Sequence, residues 1–372
     1  MHANLLLLLL VILIERIEFT QSREHALIPL DVQTRCPIWK LTNTTFAFTK
    51  TDGLHNMADG INMFKNRLFD LLYGSICHRR HVVEPGVRLK FDSPKTTEFS
   101  RLFDINSFNA YLYAHHGIFI VPKHCMSGVG PLKDRPYDNH TCLAKGEEKY
   151  LNNTIVRTSW QTIENPLAIR KHLTVHLKAA PRLLRMAYQS RRHMNQKYVC
   201  IHMRTEHDFK AYQRNKPPGY NSMEEIVEKL RLTMQRNSSL FAGINDVYVA
   251  GDHSNTDVIE KAFGALFRRV LTKAVFLRNN TDLSYMETAL IDQEICEKSD
   301  VFVGNNHSAW SELVYYLRVL LSEKKAPRSM NYVNFQYNSM YPNEKIESPM
   351  HQFCTAREYL YFARNCHYYR LF

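Results

Sequence analysis

Apolar positions along this chain change character near residue 190. Beyond it, short β-forming runs alternate with longer stretches whose apolar residues recur at helical spacing. Tyr198–Ile201, Asp246–Ala250, Ala274–Leu277 and Asp300–Val303 read as strands. Ser222 with Glu225 forms a candidate capping box ahead of Ile226, Val227, Leu230 and Met234, and further helices are expected over 256–267, 283–298 and 310–321. Strand and helix alternating at this interval predict a doubly wound parallel sheet. Before residue 190 the pattern is less regular: β character over 39–48, the turn-like KTDGLHNMADG, and a helix from Ile61 with Met63, Phe64, Leu68, Leu71 and Leu72 on one face. Short apolar runs such as Gly117–Val121 fill 81–145 without declaring their order, and 167–188 reads as helix.

A chain of 372 residues with 45% apolar composition suffices for two cores, so two domains are expected, 23–190 and 191–330. A tyrosine-rich tail, 331–372, is expected to pack back on the body. Residues 1–22 hold an unbroken apolar core, Leu5–Ile14, of signal-peptide length. No Lys or Arg precedes it and no clean cleavage site follows, so a short uncleaved anchor stays open and a membrane association depends on it. Lys plus Arg exceed Asp plus Glu by 48 to 36, a net charge of +12. The basic residues are scattered, which points away from nucleic acid and towards a small phosphorylated ligand. Eight cysteines and sequons at Asn43, Asn139, Asn152, Asn237 and Asn279 suit an oxidising, glycosylating compartment. Cys125 with Cys142 and Cys354 with Cys366 are the favoured bridges, while Cys200 reads equally as a buried thiol or a disulfide partner.

The chemistry-bearing residues cluster at strand ends. In KYVCIHMRTEHDF a buried strand stops in charge, and His202 and Arg204, two apart, share one side of an extended chain. Ligands of open α/β sheets bind beyond the carboxyl ends of the strands, where an arginine offers a planar cationic fork to phosphate. VGNNHSAWS, Val303 to Ser311, is a strand ending in glycine before a helix start, with Ser308 and Ser311 adding hydroxyls to the exposed amides. A sequon at Asn306 lies inside it and should stay unmodified. Asp292, among Leu290, Ile291 and Ile295, either points to solvent, the stronger expectation, or serves a purpose such as accepting the N1 and N2 hydrogens of guanine. Asp252 could line the same crevice or shape a turn. Gly-x-Gly-x-x-Gly, Walker, Gly-x-Ser-x-Gly, HExxH, CxxC and Asp-x-Asp patterns are all missing, so cations of the protein must carry the charge of any departing diphosphate.

IHMRTEHDF, LIDQEICEKSDVFVGNNHSAWSEL and the early GLHNMADG, in this order, resemble the signature regions of the GDP-fucose protein O-fucosyltransferases, nearest to the branch that modifies EGF-like repeats. The resemblance implies a GT-B fold, two Rossmann-like domains facing across a cleft, and inverting transfer of fucose from GDP-fucose to Ser or Thr with no essential metal and no cofactor. By position, Arg204 lies against the β-phosphate and is catalytic, with His202 and Met203 beside it. Gly53, Leu54, His55 and Asn56 match the donor-contacting loop, with Asn56 its polar anchor and, by the same resemblance, catalytic. Asp292, Ser308, Ala309 and Trp310 complete the donor set.

Two residues depart from the pattern: Ala309 replaces the usual Ser, and Trp310 the usual Phe. The glutamate base of the thrombospondin-repeat branch is also missing, its place held by Gly53–Asn56, which leaves Asp52, His55 and Asp59 as candidate bases. The implied compartment is the secretory pathway, the endoplasmic reticulum lumen ahead of the Golgi, although the chain ends in Arg370, Leu371 and Phe372 rather than a retention tetrapeptide. The rival readings are an α1,6-type fucosyltransferase acting on a glycan and a non-catalytic, chaperone-like binder of GDP-fucose.

Overall fold

The computed structural model describes residues 46–48, 60–77, 80–88, 96–126, 132–133, 155–157, 167–194, 197–203, 223–236, 238–251, 256–278, 280, 282–304, 308, 310–311, 313–314, 317–318 and 328–331. The leader, the Gly53–Asn56 loop, Arg204, Asp252, Ala309 and the tail from 332 lie outside them. The strands are β1 (Phe46–Phe48), β2 (His81–Val83), β3 (Val87–Arg88), β4 (Thr96–Thr97), β5 (Ile120–Val121), β6 (Leu132–Lys133), β7 (Ile155–Arg157), β8 (Tyr198–His202), β9 (Asp246–Ala250), β10 (Arg269–Thr272), β11 (Val301–Gly304) and β12 (Arg328–Asn331). The helices are α1 (Ile61–Cys77), α2 (Phe99–Leu102), α3 (Ile105–His116), α4 (Leu167–His176), α5 (Pro181–Arg191), α6 (Met223–Arg236), α7 (Ser238–Phe241), α8 (Thr256–Phe263), α9 (Ala274–Leu277) and α10 (Tyr285–Glu297).

By internal contacts the chain divides into two units. Met1–Lys50, Asp70–Pro85 and Ile105–Ile163 form one; Thr51–Phe69, Gly86–Asp104 and Glu164–Phe372 form the other. The helical stretch 167–188, which falls within the first expected domain, 23–190, clusters with the second unit.

The first unit is built on a parallel sheet ordered β5-β2-β1-β7-β6. Its β5 carries an amide in place of a further strand: Asn109 of α3 donates to the Ile120 carbonyl (2.9 Å) and accepts from the Ile120 amide (2.7 Å). A single side chain thus satisfies both backbone groups that the ladder leaves over.

In the second unit the order is β10-β9-β8-β11-β12, again all parallel. Numbered within the sheet, that is 3-2-1-4-5, so the strand order reverses between β8 and β11. Alternation along the strands assigns each residue to a face. Val199, Ile201 and Met203, Val247 and Val249, and Val301 and Val303 form one core with Ile226 and Leu230 of α6 and Ile259 and Phe263 of α8. The intervening residues Tyr198, Cys200, Tyr248 and Phe302 are equally buried and make the other face. Tyr198 donates its phenol proton to the Ile295 carbonyl (2.6 Å), and Cys200 is disulfide-bonded to Cys296, so this face is bound to α10. Cys200 is therefore a cross-link rather than a thiol. Cys125 is also disulfide-bonded, while Cys142 and the Cys354–Cys366 pair fall outside the described residues.

Two element assignments differ from expectation. The third strand of this sheet is Arg269–Thr272, and Ala274–Leu277, expected to be that strand, is the short helix α9. Apolar runs of four residues do not distinguish the two states, and here the ladder chose the more polar RVLT, which pairs with Asp246–Val249 at the sheet edge. Strand β12 was not anticipated, since RSMN has no apolar run and owes its conformation to pairing with β11. Ser222 lies outside the described residues, but a capping box is present on α10: Ser284 accepts from the Glu287 amide (3.3 Å) and Glu287 accepts from the Ser284 amide (2.6 Å).

Candidate active site

The reversal point of the second sheet is where the chemistry-bearing side chains gather. At the carboxyl end of β8, His202 follows Tyr198 and Cys200 on the α10 face and is 5% exposed. Across the reversal, β11 ends in Gly304, and Trp310 and Ser311 are helical. Ser311, fully buried, sets its Oγ 2.7 Å from His202 Nδ1. Trp310 packs its ring on the imidazole with centroids 4.3 Å apart, and its own Nε1–H donates to the Ala289 carbonyl of α10 (3.2 Å). The approach of the helix to the strand needs a glycine: a Cβ at Gly304 would stand 2.9 Å from Phe302 Cε1 and 3.0 Å from both Cβ and Oγ of Ser311. Ser308, 6% exposed, lies just before this helix.

Asp292 does not point to solvent. It is 3% exposed, and its Oδ1 accepts the phenol proton of Tyr248 at 2.5 Å while Oδ2 lies 3.4 Å from the Gly251 amide. Burial, reinforced by the carboxylate beside it, pushes the Tyr248 phenol well above its ordinary range, so it remains a donor. Gly251, just past the end of β9, has φ 137°, a conformation that side chains disfavour, and its amide faces this carboxylate. Asp292 therefore ties α10 to the tip of the strand next to β8.

Of the expected donor residues, His202, Trp310 and Asp292 fall on or beside the α10 face at the carboxyl end of this sheet, and Ser308 is buried ahead of the helix that carries Trp310. Met203 is different. Its side chain belongs to the opposite core, 2% exposed, and its amide donates to the Ala250 carbonyl (2.8 Å). Arg204, Ala309 and Gly53, Leu54, His55 and Asn56 lie outside the described residues. Sequence reasoning did not select Tyr248, whose only signal was a phenol at the centre of an apolar strand, nor Ser311 as more than a hydroxyl near a helix start.

The family model of the GDP-fucose protein O-fucosyltransferases matches residues 82–321. The chain belongs to this family. It is thereby a fucosyltransferase that uses GDP-fucose, and its α/β fold is of the GT-B class. The match begins after the Gly53–Asn56 loop and includes every described residue of the site. No relative among curated proteins matches the chain by sequence. Among solved structures it resembles POFUT1 in complex with GDP, at 14% identity and TM-score 0.56 over 78% of this chain and 98% of that one. POFUT1 in complex with GDP-fucose aligns at 15% identity and TM-score 0.55 over the same shares. The fucosyltransferase NodZ from Bradyrhizobium aligns at 13% identity and TM-score 0.49 over 74% of this chain and 94% of that one.

Proposed function

We propose that this fucosyltransferase transfers fucose, with inversion and without a metal, from GDP-fucose to a Ser or Thr hydroxyl of an EGF-like repeat in the secretory pathway. The observation that carries the reading is the buried His202, locked between Ser311 and Trp310 at the strand reversal, with Arg204 two residues further along the chain. In the reaction the bond from the anomeric carbon to the β-phosphate oxygen breaks. The acceptor oxygen bonds to the opposite face of that carbon, and its proton passes to a base, for which Asp52, His55 and Asp59 are the candidates. Negative charge then grows on the β-phosphate. A guanidinium already in place there stabilises the transition state more than the ground state, a single contact of this kind contributing about 3 kcal/mol.

The luminal setting rests on the apolar leader, the sequons and the buried disulfide between Cys200 and Cys296. No helix among the described residues is long and apolar enough to cross a membrane. The EGF-like acceptor rests on the motif resemblance, the binding step on family membership.

The decisive experiment offers GDP-fucose and a panel of acceptors, folded EGF-like repeats, folded thrombospondin repeats and a core glycan, to the wild-type chain and to Arg204→Ala. Transfer to the EGF-like repeat alone is expected, and the variant should lose about 100-fold or more of it with an unchanged melting temperature. Transfer to the glycan instead, or near-normal turnover by the variant, would overturn the reading.

A further inference from the structure

We infer that Ser311 is a positioning residue for the donor: its hydroxyl donates to His202 Nδ1 and so holds the imidazole in one plane and one tautomer, with the remaining proton on Nε2. The inference rests on the proposed role of His202 at the nucleotide and adds to it the group that makes this role possible. A neutral imidazole donates through only one of its two nitrogens, and which one is decided by the bond the other makes. Here Nδ1 is committed to Ser311 at 2.7 Å in a fully buried contact, so any dealing between the ring and a phosphate falls to Nε2. A phosphate oxygen only accepts. With the serine as donor, Nε2 carries a proton and can serve it; with the roles reversed, Nε2 would present a lone pair to a negative charge.

The surroundings restrict the ring to this arrangement from three sides. Trp310 covers one face of it at 4.3 Å between centroids and is itself held by the Ala289 carbonyl. Gly304 lets the helix bearing Ser311 come within reach, since any Cβ there would lie 3.0 Å from the serine oxygen. Cys200, on the same strand face two residues before His202, is bonded to Cys296, which fixes the strand against α10. Ser311 is the member of this set that forms a hydrogen bond with the ring itself.

The test measures tautomer and affinity separately. In the wild-type protein, ¹⁵N shifts of the His202 ring should report a proton on Nε2; a ring protonated on Nδ1 alone would overturn the inference directly, with no variant needed. Ser311→Ala should then mix the tautomers and weaken GDP binding by calorimetry about 10-fold, whereas Ser190→Ala, removing another buried serine hydroxyl that bonds to the Met186 carbonyl, should leave GDP affinity at the wild-type value. Ser311→Thr, which keeps the hydroxyl, should restore the Nε2 tautomer. Should His202→Ala weaken GDP binding while Ser311→Ala does not, the positioning role fails and the proposed function stands; should His202→Ala itself bind GDP normally, the reading of His202 fails with it.

Discussion

Lys65 of α1 is 5% exposed, an unusual place for an ammonium. It donates to Gln293 Oε1 at 2.9 Å and lies 5.6 Å from the centre of the Phe103 ring. Burial pushes its pKa down to about 8, with Glu297 and Glu294 acting in the opposite sense. On α10, Glu294 is pushed up to about 7, first by burial and then by Glu297, against Lys298, Arg191 and Lys65. The two shifts act on stability with opposite signs. Between the ordinary carboxylate value of 4.5 and about 7 the folded chain keeps a proton on Glu294 that the unfolded chain has released, so stability falls as pH rises. Between about 8 and 10.5 the unfolded chain keeps a proton on Lys65 that the folded chain has released, so stability rises, by an amount on the order of 3 kcal/mol in full. A trough near pH 7 to 8 is expected in urea melts. Lys65→Met should flatten its alkaline side and Glu294→Gln its acid side; an alkaline rise that survives in Lys65→Met would locate the titration elsewhere. None of this was legible in the sequence, where Lys65 is one of 48 basic residues. The same holds for Asp292 and Ser311, whose partners Tyr248 and His202 are 44 and 109 positions away. Residue types suggested a carboxylate and a hydroxyl of interest; the contacts that define their roles exist only after folding.

At the scale of elements, α10 shows how one helix is secured at both ends. Its first turn carries the Ser284–Glu287 box, and Glu287, fully buried, is also ion-paired to Arg101 (2.7 Å) and to Arg182. Its far end is closed from outside the helix. The Arg318 guanidinium, 5% exposed, donates to the carbonyls of Cys296 (3.1 Å), Glu297 (2.9 Å), Ser299 (2.5 Å) and Asp300 (3.2 Å) at and beyond the helix terminus, where the Cys296 carbonyl also accepts from the Ser299 hydroxyl (2.7 Å). Arg318→Met keeps much of the side-chain volume but takes the charged donor from these carbonyls, the buried one of Ser299 among them, so a loss of about 2–4 kcal/mol is expected by chemical denaturation. A loss below about 0.5 kcal/mol would mean that the carbonyls are satisfied without the guanidinium. Elements with strong local signals were legible: β9 at Asp246–Ala250 matches its expected span, and α10 falls two residues inside its expected start. Edge strands were not, because β10 and β12 are specified by pairing with β9 and β11 rather than by their own apolar content.

At the scale of the molecule, the two five-stranded sheets are parallel throughout, a topology whose contacts are non-local and slow to form. The cross-link between Cys200 and Cys296 acts on this problem. It joins the central strand β8 to α10 over a sequence separation of 96 residues, and the segment it closes includes β9, β10 and the helices between them. Closing a loop of that length removes from the unfolded chain an entropy worth about 4–5 kcal/mol in the chain-entropy account, and measured native bridges fall at about 2–5 kcal/mol. Both cysteines are fully buried, so a reductant meets the bond only after the second unit opens. Two outcomes follow from these facts. The double variant Cys200→Ala, Cys296→Ala should lose about 2–5 kcal/mol in urea melts, adding to the chain-entropy term the small cavities left by two sulfur atoms. The wild-type chain under dithiothreitol should keep its native fluorescence at moderate temperature and lose it only as fast as the second unit unfolds. A double variant as stable as the wild type would show that packing between β8 and α10 suffices. Rapid reduction of the folded chain would show that this interface opens locally, which would also release the strand that carries His202.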